Sequence, residues 1–279
     1  MSDFVTEVAA LVPMNNICDM VGIPEEHRRT IAHESQFPDG WRDPRLLQGA
    51  EPLTRVAQAI LTVHGVAMEL VEARRRNPEN DLVTAMVEAE VDGERLTDEE
   101  ISSIFFLLII AGNDTTRQSI SHGLKALTDF PDQRAWLLDD LDGRMTPAVE
   151  EIIRWATPIM TFRRTAARDT ELGGQHITEG DKVIMFYSSA NMDTEVFDHP
   201  ERLDLSRSPN KHVAFGGGGI HHCLGAQLAR RQINATFREL LTRLPDIHTV
   251  GEPELGNGNF FHTVMSMTAE FTPEKTDKR

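Results

Sequence analysis

The sequence predicts a mainly α chain with small β-sheets, folded as one domain over residues 1–279. Three observations predict it. Apolar residues recur at helical spacing through most of the first half, and a complete capping box opens a helix long enough to cross a whole domain. Between Arg168 and Tyr187 the pattern switches to short β-like pieces set between glycine turns. A content of 40% hydrophobic and 26% charged residues excludes disorder and collagen-like composition. No internal repeat or low-complexity tract divides the chain.

The elements follow in order. Phe4 to Leu11 has a helical pattern, a second helix follows the Gly22-Ile23-Pro24 turn, and a third runs from about Leu53 to Arg76. Asn77-Pro78 stops it, because the residue before a proline is pushed out of helical geometry. Thr97 and Glu100 form the capping box, each able to satisfy the other's backbone N–H, and the helix they open can run to about Leu127. Its middle is expected to be buried. There Ala111-Gly112-Asn113-Asp114-Thr115-Thr116 sets polar groups directly after the apolar run Ile104 to Ile110. Glycine weakens a helix by about 1 kcal/mol and Asp and Thr compete for backbone hydrogen bonds, so a kink or functional groove is expected, with emergence into solvent as the alternative.

Thr146-Pro147 reads as the N-cap and first residue of the next helix, which ends before Pro158. Its apolar stripe is Val149, Ile152, Ile153 and Ala156, so the pattern alone makes Glu151 and Arg154 an exposed ion pair on the opposite side. Lys182 to Phe186 is the clearest strand. Leu224, Leu228, Phe237, Leu240, Leu241 and Leu244 mark a last long helix, and the polar tail after Thr272 is expected to fray.

Twenty-eight Lys and Arg against forty-four Asp and Glu give a net charge of −16, the wrong sign for broad binding to nucleic acid or anionic lipid. The longest apolar run has eight residues, whereas a membrane span needs about 20, so no span is expected. Two cysteines far apart, Cys18 and Cys223, with no leader pattern at the start, point to a reduced cytoplasmic setting without a disulfide framework. One segment inverts the charge balance. From Leu205 to Arg238 there is no acidic residue, while Arg207, Lys211, Arg230, Arg231 and Arg238 are present, a pattern that fits a docking patch for an acidic protein.

The most informative stretch is Phe215-Gly216-Gly217-Gly218-Gly219-Ile220-His221-His222-Cys223-Leu224-Gly225-Ala226. Four glycines permit close approach to a flat ligand, and a cysteine at a helix start faces the positive end of the macrodipole, which favours the thiolate. A thiolate is a metal ligand or a nucleophile. On these residues alone other readings stand beside it. The segment also fits a glycine turn with a buried structural cysteine. A zinc site using His221, His222 and Cys223 lacks a CxxC partner elsewhere, and a phosphate cradle lacks its Lys-Ser/Thr ending.

The stretch resembles the haem-binding loop of the cytochrome P450 monooxygenases. Further matches follow in that family's order: Ala111 to Thr116, then Glu151-x-x-Arg154, then Phe162-Arg163-Arg164-Thr165, then His199-Pro200-Glu201-Arg202-Leu203. The resemblance implies a P450 fold lacking its N-terminal part, so that residues 1–279 form one haem-thiolate domain corresponding to the C-terminal two-thirds of the usual fold. It implies haem b as cofactor, with Cys223 as the axial iron ligand and His221 and Arg164 on the propionates. Phe215, Gly216 and Gly225 would shape the loop around the haem, and Ala111 and Gly112 would lie over it on the oxygen side. Asp114 and Thr115 take the proton-delivery roles, while Glu151, Arg154 and Arg202 form a buried charge network. Two departures are visible: Leu203 replaces the usual Phe, and Phe215 lies one residue further from the cysteine than in the commonest form.

That longer loop, with Ala111 to Arg117 and Trp155 to Thr165, is similar to the branch that oxidises steroid side chains and branched lipids. The implied function is O₂-dependent hydroxylation of an unactivated C–H bond of a hydrophobic substrate, with the terminal side-chain methyl of a cholesterol-like steroid as the leading example. A ferredoxin-type donor would supply electrons at the basic patch. Two other classes of function stand beside this one: a non-catalytic remnant holding haem poorly or not at all, and a peroxide-driven haem-thiolate peroxygenase.

Overall fold

The computed structural model describes residues 2–37, 43–47 and 49–273. The helices are α1 (Leu11–Val21), α2 (Glu25–Glu34), the short α3 (Pro44–Leu47), α4 (Pro52–Arg76), α5 (Leu82–Glu88), α6 (Asp98–Asp129), α7 (Pro131–Asp139), α8 (Leu141–Ala156), the short α9 (Tyr187–Ala190) and α10 (Ala226–Arg243). The strands are β1 (Ser2–Asp3), β2 (Glu90–Val91), β3 (Glu94–Arg95), β4 (Thr161–Thr165), β5 (Thr170–Leu172), β6 (Gln175–Ile177), β7 (Lys182–Phe186), β8 (His248–Thr249), β9 (Glu254–Leu255), β10 (Val264–Ser266) and β11 (Thr268–Glu270). They form small antiparallel sheets: β1-β11-β8, β4-β7, β5-β6, β9-β10 and β2-β3. The mainly α chain with small sheets is as expected.

Helix α6 threads two apolar cores. Its first half gives Ile101, Phe105 and Ile109 to a cluster with α1, α4 and α5. Its second half gives Ile120, Leu124 and Leu127 to a cluster with α8, α10, Phe4, Val5 and Ala9 near the start of the chain, and Val264 and Ala269 of β10 and β11. Between them lie the buried polar residues Asn113, Asp114, Thr116, Gln118 and Ser119. The polar cluster therefore marks the junction of two cores. The capping box forms as the sequence predicts, with Thr97 N donating to Glu100 Oε2 at 2.8 Å and Glu100 N to Thr97 Oγ1 at 3.2 Å. The helical hydrogen bonding of α6 runs unbroken through Gly112. That glycine serves close packing, because a Cβ there would meet Ile17 Cδ1 of α1 at 3.0 Å. Gly123 does the same at the α6–α8–α10 crossing, where a Cβ would lie 2.7 Å from Phe237 Cζ and 2.8 Å from Ile152 Cγ2.

Several boundaries differ from expectation. Phe4–Leu11 contains one π-helical turn, Val5–Ala9, and the regular helix continues from Leu11 to Val21, with Pro13 tolerated in its first turn. Helix α8 starts at Leu141 and carries Pro147 inside it; the Asp140 side chain, accepting from Gly143 N at 2.9 Å, caps it directly after α7. Helix α10 begins at Ala226, so Leu224 lies before it and is 94% exposed rather than on the apolar side. The tail beyond Thr272 falls mostly outside the described residues. Among the described residues α4 alone is long and apolar enough by composition to cross a membrane, which is weak evidence. Its stripe of Val63, Val66, Ala67, Leu70 and Val71 is buried in the first core.

Candidate functional site

The residues singled out by the sequence lie in the middle of α6, the C-terminal end of α8, strand β4 and the loop before α10, and no side-chain contact among the described residues joins Cys223 to Thr115, Asp114 or Arg164. In α6 the Thr115 hydroxyl donates to the Ala111 carbonyl at 2.9 Å. Leu107 is 63% exposed and Ala111 is exposed as well; with Thr115 they recur every fourth residue and form one open strip along an otherwise buried helix. Asp114 points inward. It is 2% exposed and pairs with Arg117 at 2.7 Å, while burial pushes its carboxyl above the usual range against the pull of that guanidinium. Asn113 Oδ1 and Arg117 Nε are buried without a partner. A cavity of about 20 Å³, large enough for one water, touches Asp114 and Arg117 together with Gln36, Asp43 and Asn257.

Glu151 and Arg154 are both fully buried, correcting the exposed ion pair expected from the pattern. The chain from Asn191 to Asn210 covers the side of α8 that the periodicity assigns to solvent. Arg154 forks onto Glu151 with two bonds of 2.8 Å and donates to the Asn191 carbonyl at 2.7 Å. Glu151 also accepts from Asp204 N at 3.0 Å, Asn210 Nδ2 at 2.9 Å and Arg207 Nε at 3.1 Å.

Arg202 is corrected here. Its side chain is exposed, and it enters the network only through its carbonyl, which accepts from Arg154 Nη2 at 3.3 Å. The second guanidinium on Glu151 is that of Arg207. The sequence shows Arg207 as one more cation of the inverted segment, and only the fold of 198–210 brings it under α8. Asn191, also missed by sequence reasoning, links the network onward, its Oδ1 accepting from Val213 N at 2.8 Å.

The cysteine loop is built differently. Gly216 N donates to Val213 O at 2.8 Å and Cys223 N to Phe215 O at 2.9 Å, closing the loop at its two ends. Gly216, Gly218 and Gly219 have φ of 91°, 102° and 82°, values that favour glycine. Between these ends Ile220 is 96% exposed, and His221, His222, Cys223 and Gly225 are exposed with it. Cys223 is therefore not the buried structural cysteine. Its thiol is pushed above the usual value by desolvation, against the lowering effects of Gly225 N–H and Arg230, so the thiolate preference expected from a helix start is not met by the protein alone. Helix α10 starts three residues later. Cys18 is the inert one, buried and raised to about 11.

On β4, Arg164 is exposed, donates to the Arg163 carbonyl at 3.1 Å and lies 5.8 Å from the Phe162 ring centroid. The docking patch is largely neutralised: Arg207 pairs with Glu151, Arg230 with Glu150 at 2.5 Å and Arg238 with Asp142. Lys211 and Arg231 are exposed. Acids of α8, absent from the segment itself, supply the missing negative charge. An open groove of about 400 Å³ runs between α8 and α10, and neither it nor the cavity at Asp114 is lined by Cys223.

The donor set fits haem. Among the described residues no group of three or more His, Cys, Asp and Glu side chains could hold a metal ion, which removes the zinc reading. A single exposed cysteine sulfur suits iron whose other ligands a macrocycle brings with it. Exposed Arg164 and His221 suit its carboxylates.

The family model described as cytochrome P450 matches residues 144–245. The chain is 44% identical over 266 residues to a methyl-branched lipid omega-hydroxylase of Mycobacterium tuberculosis, covering 95% of this chain and 61% of that protein. It is 43% identical over 251 residues to a steroid C26-monooxygenase of Rhodococcus jostii, covering 90% and 51%. It matches the structure of Mycobacterium marinum cytochrome P450 CYP268A2 in complex with pseudoionone with a TM-score of 0.94 and 57% identity, covering 97% of this chain and 65% of that one. The chain thus spans less than two thirds of each.

Proposed function

This chain belongs to the cytochrome P450 family, and from that premise we propose that it is part of a haem-dependent monooxygenase that hydroxylates a terminal methyl of a hydrophobic, methyl-branched chain. The substrate is the side chain of a cholesterol-like steroid or a methyl-branched lipid. Relatives named for each, at 43% and 44% identity, support both. The observation that carries the reading is the exposed Cys223 at the end of a loop closed by its own N–H on Phe215 O.

Held by Cys223, haem b would supply the thiolate-assisted activation of O₂ needed to hydroxylate a C–H bond. The residues of this chain hold the group and manage protons. Arg164 and His221 bind its propionates. Phe215, Gly216 and Gly225 would shape the backbone around the sulfur, exposed Ala111 would keep the opposite side low, and Gly112 lets α6 pack closely on α1 beneath it. Thr115, its hydroxyl hydrogen committed to Ala111 O, keeps its oxygen free to accept a hydrogen bond on the open strip. Asp114, buried beside Arg117, is the acid that would supply the proton to this side. Glu151, Arg154 and Arg207 fix the segment leading into the loop. A ferredoxin-type donor brings two electrons to the loop side, where Lys211 and Arg231 remain open. The setting is cytoplasmic.

The test is turnover. Purified chain supplied with haem, a ferredoxin, its reductase and O₂ is expected to convert a cholesterol-like steroid or a methyl-branched fatty acid to its terminal alcohol, and Cys223→Ser to abolish conversion. Product formed equally by Cys223→Ser would contradict the proposal. Conversion with peroxide and none with the ferredoxin system would replace it by the peroxygenase reading.

A further inference from the structure

Glu150 stands beside Glu151 on α8, about 100° round the helix, and faces α10 and the loop. Its side chain is 24% exposed and gathers a guanidinium and an imidazole from different parts of the chain. Arg230 Nε reaches Glu150 Oε1 at 2.5 Å and Arg230 Nη2 reaches Oε2 at 3.0 Å, a two-pronged pair. His212 Nε2 lies 3.0 Å from Oε2, and its side chain is 3% exposed. The backbone N–H of Ala214 donates to His212 Nδ1 at 3.3 Å, which leaves the ring hydrogen on Nε2, where it is donated to Glu150.

These two side chains pack against one ring. The Arg230 guanidinium sits 4.4 Å from the Phe215 ring centroid, and the His212 ring lies 5.7 Å from it. Phe215 in turn supplies the carbonyl that accepts from Cys223 N at 2.9 Å. A continuous set of contacts thus runs from Glu150 through Arg230 and His212 to Phe215 and ends on the backbone of Cys223.

We propose that Glu150 is a positioning residue for the cysteine loop, holding Phe215 between Arg230 and His212 so that the Phe215 carbonyl fixes the backbone of Cys223. This also assigns Arg230 an inward task in place of partner docking. The proposal rests on the haem-thiolate reading for its purpose, but its geometry can be tested without haem. The same two helices provide a control, since Asp142 of α8 pairs with Arg238 of α10 away from the loop.

Hydrogen–deuterium exchange on the 279-residue chain is the experiment. In Glu150→Gln the amides of Gly216 and Cys223 are expected to exchange about ten-fold faster, while α6 amides keep their rates and Asp142→Asn leaves the loop unchanged. Glu150→Asp is expected to restore part of the protection. Wild-type loop rates in a folded Glu150→Gln chain overturn the proposal. Should that variant not fold, His212→Gln decides, because it removes one flank and leaves the Arg230 pair. A rise of about three-fold supports the clamp, and no rise overturns it. Reconstituted with haem, Glu150→Gln is expected to shift the carbon-monoxide complex toward the form lacking thiolate ligation, and Asp142→Asn is not. Absence of any thiolate band in wild type would count against the haem-thiolate reading alone, since exchange reads the clamp separately.

Discussion

The segment Asn191–Asn210 and the loop Phe215–Gly225 follow each other in the chain and are held in opposite ways. The first hangs on Glu151 and Arg154, two fully buried charges that between them bond to Asn191, Arg202, Asp204, Arg207 and Asn210. The second rests on a few backbone bonds, left-handed glycines and the contacts to Phe215, and leaves Ile220, Cys223 and Leu224 in the open. Rigidity is concentrated in the approach to the loop, and the loop itself stays accessible to a ligand. A buried charge network suits the first task because it is costly to disturb in part. It would not suit the second, where a sulfur must remain reachable.

The largest effect expected is in the network. Arg154→Ala strands Glu151 and is expected to cost about 3–5 kcal/mol in denaturant unfolding; a loss under about 1 kcal/mol would break the contrast. Next comes acid. His122 of α6 stacks on His262 at 3.9 Å and bonds to its carbonyl at 2.9 Å, and burial holds its imidazole down to about 4 from 6.5. Below pH 6.5 the unfolded chain takes up a proton that the folded ring refuses until about pH 4. Stability from this group is therefore complete above pH 6.5 and declines by about 3 kcal/mol as pH falls through that window. Unfolding curves for His122→Asn are expected to lack this step, and an identical pH profile would refute the assignment.

Arg207 and Arg202 sharpen the comparison at smaller scale. Arg207→Ala removes a charged hydrogen bond to Glu151 and is expected to cost about 2 kcal/mol, whereas Arg202→Ala, which keeps its carbonyl, stays within about 0.5 kcal/mol. Equal losses would return Arg202 to the network. The smallest change belongs to the loop: a Cβ on Gly217 meets nothing within 4 Å, so Gly217→Ala is expected to shift the unfolding midpoint by no more than about 0.5 kcal/mol.

Local signals were readable in the sequence. The Thr97–Glu100 box and the Asn77-Pro78 stop lie within a few residues of what they decide, and α4 and α6 begin and end close to the expected positions. The cysteine loop and the Glu-x-x-Arg pair were legible as motifs. Burial of Glu151 was not, because helical periodicity registers only apolar residues and cannot see that residues 191–210 fold over the polar side. Arg202 and Arg207 lie five positions apart on one irregular segment, and spacing does not say which turns inward. The start of α8 was misread because a proline after threonine is a strong local signal, and the Asp140 cap overrides it. The acids that neutralise Arg207, Arg230 and Arg238 stand on α8, far from the segment whose charge was counted.

The most direct test of the central claim is the difference spectrum of the reduced, carbon-monoxide-bound chain, wild type beside Cys223→Ser, after expression with ample haem precursor. The thiolate-ligated band is expected in wild type and absent in the mutant; its absence from both, or its survival in Cys223→Ser, would contradict iron ligation by Cys223.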